Sequence, residues 1–277
     1  MDAAASNPTY RAHWGLRETP FASGLNPRCY HQSPAHEEAL ARLQFLVEQH
    51  QQVGLLLGGS GTGKSLLLEV LARDLRRQGS QVANISLLGV DVHEFLWLTA
   101  AELGLNPGPQ ADVFSLWRGI LDRLVENRYQ QMDTVVLLDD ADEAPPEVLD
   151  HVARLAQADR GSQTPPVLVL SAASQRVSRL GLRLLELADL RIDLEPWEEA
   201  DTAAYLTAGL AQAGCKSPVF TDDAISRLQS LSGGVPRRVN QLAALALVAG
   251  AGRRLPRIDA ETIDSVYHEL GAVDAVA

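Results

Sequence analysis

A glycine-rich segment with one lysine is the part of this sequence whose residue types and spacing suit phosphate chemistry. It reads Gly58-Gly59-Ser60-Gly61-Thr62-Gly63-Lys64-Ser65, which is a glycine, four free positions and then Gly-Lys-Ser. Glycines let the backbone adopt left-handed angles and approach an anion closely, so the loop N–H groups can face phosphate oxygens. Lys64 is expected to reach the β- and γ-phosphates of a nucleotide, and the Ser65 hydroxyl to bind Mg²⁺.

The distribution of lysine supports this interpretation. The chain has only two lysines, Lys64 and Lys216, and its other cationic side chains apart from histidine are arginines. The alternative is a glycine-rich turn that merely joins a strand to a helix. Because a lysine stands at the one position of the pattern that requires it, the sequence favours a phosphate site.

Two adjacent carboxylates end an apolar run further along the chain. The run is Thr134 to Leu138, and Asp139 and Asp140 follow it. In phosphate-loop enzymes an aspartate at this place holds Mg²⁺, and the next acidic residue orients the attacking water. We therefore expect Asp139 to hold the metal and Asp140 to activate water. The alternative is an acidic turn leading into solvent, but two carboxylates at a buried strand end are costly without a cation.

The elements that must position these residues alternate between strand and helix. Strands are predicted at 53–57, 81–87, 134–138, 166–170 and 190–194, and helices at 34–50, 66–78, 93–103, 113–129 and 147–158. This alternation predicts an α/β fold, with a parallel sheet covered by helices on both faces. From Trp197 onward only helices are predicted, at 198–213, 221–231, 236–248 and 259–270.

The change from alternating elements to helices alone divides the chain into three predicted segments. The predicted boundaries are an N-terminal arm at 1–33, a phosphate-loop core at 34–197 and a helical lid domain at 198–277. The arm is rich in aromatic residues between Tyr10 and Phe21 and is interrupted by glycine and proline. It is expected to pack on the core rather than to form a domain. His13 and Trp14 are expected to anchor it, with a ligand contact as the alternative.

Composition narrows the class of protein. A chain of 277 residues that is 46% hydrophobic suits two domains with a proper buried core. The formal charge of −11 argues against a wide non-specific nucleic-acid surface. A local patch remains compatible with it, and Arg253, Arg254 and Arg257 are either such a patch or a solvated loop.

Cysteine usage and the lack of long apolar runs indicate the cellular setting. Cys29 and Cys215 are too few and too far apart to suggest a disulfide framework or a metal site, which fits a reduced, cytoplasmic environment. The longest apolar run, Leu242 to Gly252, is too short to span a membrane, and residues Met1 to Pro8 lack the charged and apolar regions of a secretory leader, so we expect neither. A link to a membrane is therefore expected to come through a partner.

Taken together, these segments resemble the AAA+ ATPases of the general secretion pathway protein A type. That group includes ATPases of MSHA-type pilus biogenesis and exosortase loci, and its relatives include regulators of transposition. The resemblance covers Tyr10 to about Leu270. Its most discriminating parts are the arm, with His13-Trp14-Gly15-Leu16, and the segment Ser232-Gly233-Gly234-Val235-Pro236-Arg237-Arg238-Val239-Asn240.

The resemblance implies a RecA-like ATPase core followed by a small helical lid, with ATP and Mg²⁺ as cofactors and a homo-oligomeric assembly. It places Arg237 where the lid arginine of such proteins reaches the nucleotide phosphates. A guanidinium there would make charge-assisted bidentate bonds to phosphate. The alternative is that Arg237 and Arg238 are solvent-facing helix residues.

The sequence departs from the family pattern at two catalytic positions. Asp140 stands where a glutamate is usual, and its side chain is one methylene shorter. The arginine expected to act in trans falls on Glu186-Leu187, so Arg183 or Arg179 would have to substitute. Loss of such an arginine slows hydrolysis by about 10³ or more, so ATP binding is better supported than fast hydrolysis.

A third departure concerns the polar residue that the family places after the fourth strand. It falls on Ala172 here, and Ser171 or Ser174 would have to take its role. Ser171 is therefore a candidate sensor of the nucleotide.

The sequence favours a cytoplasmic AAA+ ATPase that remodels or signals to a protein partner of an envelope or secretion system, at the inner membrane only through that partner. Its catalytic residues would be Lys64, Asp139, Asp140 and Arg237. One alternative is a nucleotide-gated adaptor that hydrolyses ATP slowly or not at all. Another is a DNA-associated regulator like the transposition relatives, against which the negative charge counts.

Overall fold

The structure is a computed structural model that describes residues 8–22, 24–25, 30–158 and 164–274. It divides into two compact units. The sheet unit comprises residues 34–60 and 64–195. The helical unit comprises the described residues before Pro34, the short segment Gly61–Gly63, and the chain from Pro196 onward.

A five-stranded parallel sheet forms the centre of the sheet unit. Its strands are β1 (Val53–Gly58), β2 (Gln81–Ser86), β3 (Thr134–Asp139), β4 (Val167–Ala173) and β5 (Leu190–Leu194). Their spatial order is β2-β3-β4-β1-β5, and all neighbours run parallel. Because β4 lies between β1 and β3, the loop after β1 and the carboxylates at the end of β3 lie on either side of the end of β4.

The described helices lie before, between and after the strands. In chain order they are α1 (Pro8–Trp14), α2 (Pro34–Glu48), α3 (Lys64–Gln78), α4 (Val92–Glu102), α5 (Val113–Tyr129), α6 (Pro146–Ala156), α7 (Gly181–Glu186), α8 (Glu199–Gln212), α9 (Asp222–Ser232), α10 (Pro236–Gly252) and α11 (Ala260–Asp274). Two 3₁₀ segments, Ala141–Glu143 and Ser174–Leu180, follow β3 and β4. None of these helices combines the length and the apolar character needed to cross a membrane.

Helices cover both faces of the sheet, as the alternation of elements predicts. Leu55 and Leu57 of β1 belong to the core that α4, α5 and α6 cover. A side chain at Gly54 would instead contact Leu46 of α2, with a Cβ 2.9 Å from the Leu46 Cδ2. Successive residues of a strand point to opposite faces, so α2 lies on the face opposite α4–α6. The predicted α/β fold class is confirmed.

Side-chain caps set several helix starts. The Asp91 side chain accepts a hydrogen bond from the N–H of Glu94 at 2.8 Å, and α4 begins one residue earlier than predicted. Asp112 accepts one from the N–H of Ser115 at 2.7 Å, and α5 has the predicted bounds. Such caps satisfy N–H groups that have no partner within the helix.

The segment after the fourth strand differs from the prediction. β4 continues to Ala173, because its last residues pair with Leu56 to Gly58 of β1. A 3₁₀ segment and α7 then follow, at 174–180 and 181–186, where the sequence showed no helix. These residues connect β4 to β5.

The helical unit joins the N-terminal arm to the four C-terminal helices. Tyr10, Trp14, Leu16 and Phe21 share one core with side chains of α8–α11. Trp14 Nε1 donates to the carbonyl of Leu247 at 2.8 Å. The arm therefore packs on the core of the helical unit. The first described part of the arm is a helix, α1, that the sequence did not predict.

Candidate nucleotide-binding site

The phosphate loop connects β1 to α3 in the predicted strand–loop–helix order. Gly61 and Gly63 have φ angles of +83° and +103°, which glycine adopts without strain. Thr62 between them is buried. Because α3 begins at Lys64, the unpaired N–H groups and the positive end of this helix lie directly after the loop. That arrangement suits an anion.

The Lys64 ammonium lies over the carbonyl groups that begin the loop. Its Nζ donates to the carbonyl oxygen of Gly58 at 2.9 Å and to that of Gly59 at 3.1 Å. The charge is thereby held beside the N–H groups that an anion would meet. Ser65 follows in the first turn of α3 and is partly buried, whereas Ser60 is exposed.

Arg237 contacts the loop segment that groups with the helical unit. The backbone N–H of Arg237 donates to the carbonyl of Gly61 at 3.1 Å. A Cβ on Gly61 would lie 2.9 Å from the Arg237 Cβ and 3.1 Å from Val235 Cγ1. Close approach and positive φ together favour glycine at this position. The Arg237 side chain is exposed at the start of α10.

Ser171 bonds the side chain of one predicted catalytic residue, Asp139, and the backbone of the other, Asp140. Its hydroxyl donates to Oδ1 of Asp139, the last residue of β3, and accepts from the N–H of Asp140 at 3.1 Å. Ser171 is fully buried within β4, whereas Ser174 begins the following 3₁₀ segment. Ala172, where the family's polar residue falls, is a core residue. Of the two serines considered, Ser171 is the one bonded to Asp139.

Asp140 has a left-handed backbone conformation and a carboxyl group with a raised pKa. Its φ and ψ of 53° and 39° are left-handed, a region that aspartate and asparagine enter more readily than most residues. Burial, the nearby charges of Asp139 and Asp142, and that of Glu143 raise the pKa of the Asp140 carboxyl, while Lys64 opposes this. A cation beside Asp139 and Asp140 would relieve this repulsion.

A cluster of ion pairs behind the strand end was not anticipated from the sequence. The buried Asp142 accepts from the N–H of Ala173 at 3.1 Å, and its Oδ2 lies 2.8 Å from Arg176 Nε. Arg176 also pairs with Glu143. Arg179 lies 3.7 Å from Oε2 of Glu143 and donates to the carbonyl of Asp142 at 3.4 Å. These partners are more than 30 positions apart, so no local pattern reveals them.

The two arginines considered for a role in trans have different surroundings. Arg179 is engaged with carboxylates of its own chain, as described above. Arg183 is exposed on α7 and lines a cavity together with Trp117 and Arg154.

The residues present fit magnesium bound together with phosphates. Ser65 and Asp139 are the predicted metal ligands. Within the described ranges, no three His, Cys, Asp or Glu side chains are grouped so that they could hold a metal ion by themselves. Mg²⁺ in nucleotide sites commonly takes one or two protein ligands and completes its shell with phosphate oxygens and water.

Comparison with known proteins shows which family the chain resembles. Residues 47–180 match a family described as AAA domain. The chain is 30% identical over 268 residues to general secretion pathway protein A of Aeromonas hydrophila, covering 95% of this chain and 49% of that protein. The chain thus spans about half the length of this relative.

Solved structures share the fold. The Aeropyrum pernix ORC1 protein in complex with DNA gives a TM-score of 0.65 at 20% identity, covering 87% of this chain and 67% of that one. The Aeropyrum pernix ORC2 protein in ADPNP–ADP complexes gives 0.68 at 15% identity, covering 90% and 70%. Identities this low establish a shared fold and nothing further.

Proposed function

Because this chain is an AAA+ protein of the general secretion pathway protein A type, we propose that it binds ATP with Mg²⁺ at the phosphate loop and hydrolyses it. The proposal rests on one observation. The phosphate loop and the acidic end of β3 are far apart in the sequence but lie at the same edge of the sheet. Lys64 lies over the loop after β1, Asp139 ends β3 and Asp140 follows it, and only β4 lies between these two strands.

Each site residue then has a role set by its chemistry. Lys64 and the N–H groups of the loop bind the phosphates, while Ser65 and Asp139 hold Mg²⁺. Bound Mg²⁺ supplies positive charge that offsets the charge developing on the phosphates. Asp140 accepts a proton from, and orients, the attacking water. Arg237 reaches the phosphates with its exposed guanidinium.

Ser171 acts as a positioning residue in this scheme. Its hydroxyl holds Oδ1 of Asp139, which leaves Oδ2 for the metal, and it fixes the backbone of Asp140 at the same time. Hydrogen bonds to a ligating carboxylate orient it and tune its affinity for the metal.

Calorimetric titration with ATP and Mg²⁺ tests the binding step. We expect saturable heat and a rise in Tm, both lost in Lys64→Ala, which removes the loop cation. The matched control is Lys216→Ala, which removes the only other lysine. No heat and no thermal stabilisation in the parent protein would overturn the proposal.

A second candidate function is an ATP-dependent switch that hydrolyses slowly or not at all. The short Asp140 side chain and the engagement of Arg179 with Glu143 favour it. Tight ATP binding without steady phosphate release, unchanged by Asp140→Asn, would support the switch over the ATPase.

We propose that hydrolysis, where it occurs, takes place in a homo-oligomer with Arg183 acting in trans. The test mixes Lys64→Ala, which keeps Arg183, with Arg183→Ala, which keeps a complete phosphate loop. Each variant alone is expected to release little phosphate, and the mixture to regain activity. A mixture as inactive as its components would overturn the role of Arg183.

The wider role is proposed from the relative's name. A protein partner in an envelope or secretion system fits general secretion pathway protein A, with the chain in the cytoplasm and any membrane contact made through that partner. A DNA-associated role is the rival, and the net charge of −11 disfavours it. DNA binding that falls steeply with salt concentration would decide for the rival.

A further inference from the structure

An apolar stripe lies exposed on α5. Phe114 is 73% exposed, and Leu121 and Val125 are each 37% exposed. Their spacing of seven and four residues puts them on one side of a helix. Trp117, one turn from both Phe114 and Leu121, lies beside this stripe and is buried in the core of the sheet unit. Leu182 on α7 adds a further large apolar side chain, 78% exposed.

A cavity of about 340 Å³ opens beside this stripe, between α5, α6 and α7. It is lined by Trp117, Leu121, Arg154, Gln157, Ala158 and Arg183. Its volume lies at the lower end of the range for binding pockets, roughly 300–1,000 Å³. The lining combines apolar walls with two guanidinium groups. We call the stripe and the cavity together the α5–α7 surface.

The positive charge in the cavity is held in place. The Arg154 guanidinium stacks over the Trp117 ring at 4.3 Å from its centroid, a cation–π contact. Trp117 is itself fixed, because its Nε1 donates to Nδ1 of His151 at 2.8 Å. The cation is therefore presented by a rigid aromatic support.

The two cavity arginines also differ from their neighbours in charge pairing. Arg118, Arg123 and Arg176 each form an ion pair within the sheet unit. Among the residues that the structure describes, no carboxylate pairs with Arg154 or Arg183. A guanidinium that faces a cavity in this way is complementary to a carboxylate supplied from outside.

We propose that the α5–α7 surface docks a segment of a protein partner that presents apolar side chains next to a carboxylate. Exposed apolar patches bordered by polar groups mark protein interaction sites. Buried tryptophan and arginine are the residue types that dominate binding energy at such sites. A small anion would satisfy the arginines but leave Phe114 and Val125 uncovered. The charged backbone of a nucleic acid would make no favourable contact with the apolar stripe.

A designed peptide tests the proposal on the full chain. The probe is a 14-residue labelled helical peptide with leucines on one face and glutamates beside them; its twin carries glutamines instead. Fluorescence anisotropy is expected to show saturable binding of the glutamate peptide and binding about 10-fold weaker for the twin. Phe114→Ser and Arg154→Glu should each lower the affinity for the glutamate peptide by a similar factor. Arg183 is left unchanged because it is also proposed to act in trans.

Matched controls come from α2, on the opposite face of the sheet. Phe45 is 53% exposed there, and Arg42 pairs with Glu38. Phe45→Ser and Arg42→Glu are expected to leave peptide affinity unchanged. A peptide with lysines in place of glutamates should bind Arg154→Glu better than the parent, which tests charge complementarity even if that variant is less stable.

Three results would overturn the proposal. The first is equal binding of the glutamate and glutamine peptides. The second is equal weakening by the α2 control variants. The third is a loss of self-association in sedimentation for Phe114→Ser and Arg154→Glu with no change in peptide binding, which would assign the surface to a second copy of this chain. Retained ATP binding in both variants separates every outcome from a failure of the nucleotide site.

Discussion

Gly234 lies directly against the backbone of Trp197. The Trp197 N–H donates to the Gly234 carbonyl at 2.8 Å, and a Cβ on Gly234 would lie 2.1 Å from the Trp197 carbonyl oxygen. That oxygen also accepts from Gln229 Nε2 at 2.7 Å, so it is not free to move away. The loop between α9 and α10 is therefore fixed to the residues just before α8 by a contact that excludes a side chain.

Gly234→Ala is expected to destabilise the helical unit strongly. The clash comes in addition to the strain of alanine at a φ of +68°, and we expect a loss of about 3 kcal/mol or more in the free energy of unfolding. The neighbouring Gly233 has a φ of +62° but open space around it, so Gly233→Ala should lose only about 1 kcal/mol. Urea unfolding of both variants measures the difference. Equal losses of unfolding free energy in the two variants would mean that the loop shifts to make room for the side chain at position 234.

Ser171→Ala removes the hydroxyl that bonds Asp139 and leaves the Asp140 N–H without this acceptor. Mg²⁺-dependent ATP affinity is expected to fall about 10-fold or more, because a ligating carboxylate loses its orienting bond. Stability should fall by about 1–3 kcal/mol. Titrations with ATP in Mg²⁺ and in EDTA isolate the metal-dependent part. Ser174→Ala is the control, and an equal effect there would contradict the assignment of Ser171.

The raised pKa of Asp140 makes stability depend on pH in a defined direction. Because the folded state holds this proton more tightly than the unfolded chain, the free energy of unfolding falls as pH rises from the ordinary aspartate value of 3.8 through the folded pKa. Asp140→Asn removes this loss and suits the left-handed backbone.

The variant is therefore expected to melt higher than the parent at pH 7, on the order of 1–3 °C. The advantage should shrink as pH is lowered toward 4, and Mg²⁺ with ATP should also reduce it. Calorimetric melting between pH 4 and 8 measures the curve. A constant offset across that range would show that the backbone preference alone is responsible.

Asp140→Glu tests whether reach limits hydrolysis. The added methylene is expected to raise steady phosphate release about 2- to 10-fold by bringing the carboxylate nearer the water. Stability should fall by about 1 kcal/mol, because glutamate is less suited than aspartate to a left-handed backbone. If Asp140→Glu releases phosphate no faster than the parent protein, the cause of slow hydrolysis is the arginine in trans and not the reach of residue 140.

Elements with strong local signals could be predicted from the sequence. The apolar period of α5 and the strand–loop–helix around Lys64 depend on residues close together in the chain. The helix predicted at 221–231 is α9, and the Thr221 side chain caps its start by accepting from the N–H of Ala224. In each case the stabilising contacts lie within a few residues, so the pattern contains them.

Features set by distant partners could not be predicted. The end of β4 is a strand because Ser171 pairs with Leu56 across the sheet, although the serine and alanines there suggest a loop. The segment 174–186 is divided into a 3₁₀ helix of 7 residues and an α-helix of 6 residues, each too short to show an apolar period. The left-handed backbone of Asp140 and the pairing of Arg176 with Asp142 arise only once β3 and β4 are neighbours.

The packing of Tyr10 and Trp14 against α10 has a consequence for synthesis on the ribosome. The sheet can close once β5 has emerged, since all of its strands precede residue 195. The arm is translated before the strands of the sheet, and its hydrophobic partners in the helical unit are translated after them. Its aromatic side chains are therefore without these partners while the sheet unit is being synthesised. A nascent-chain chaperone can bind the arm during that interval.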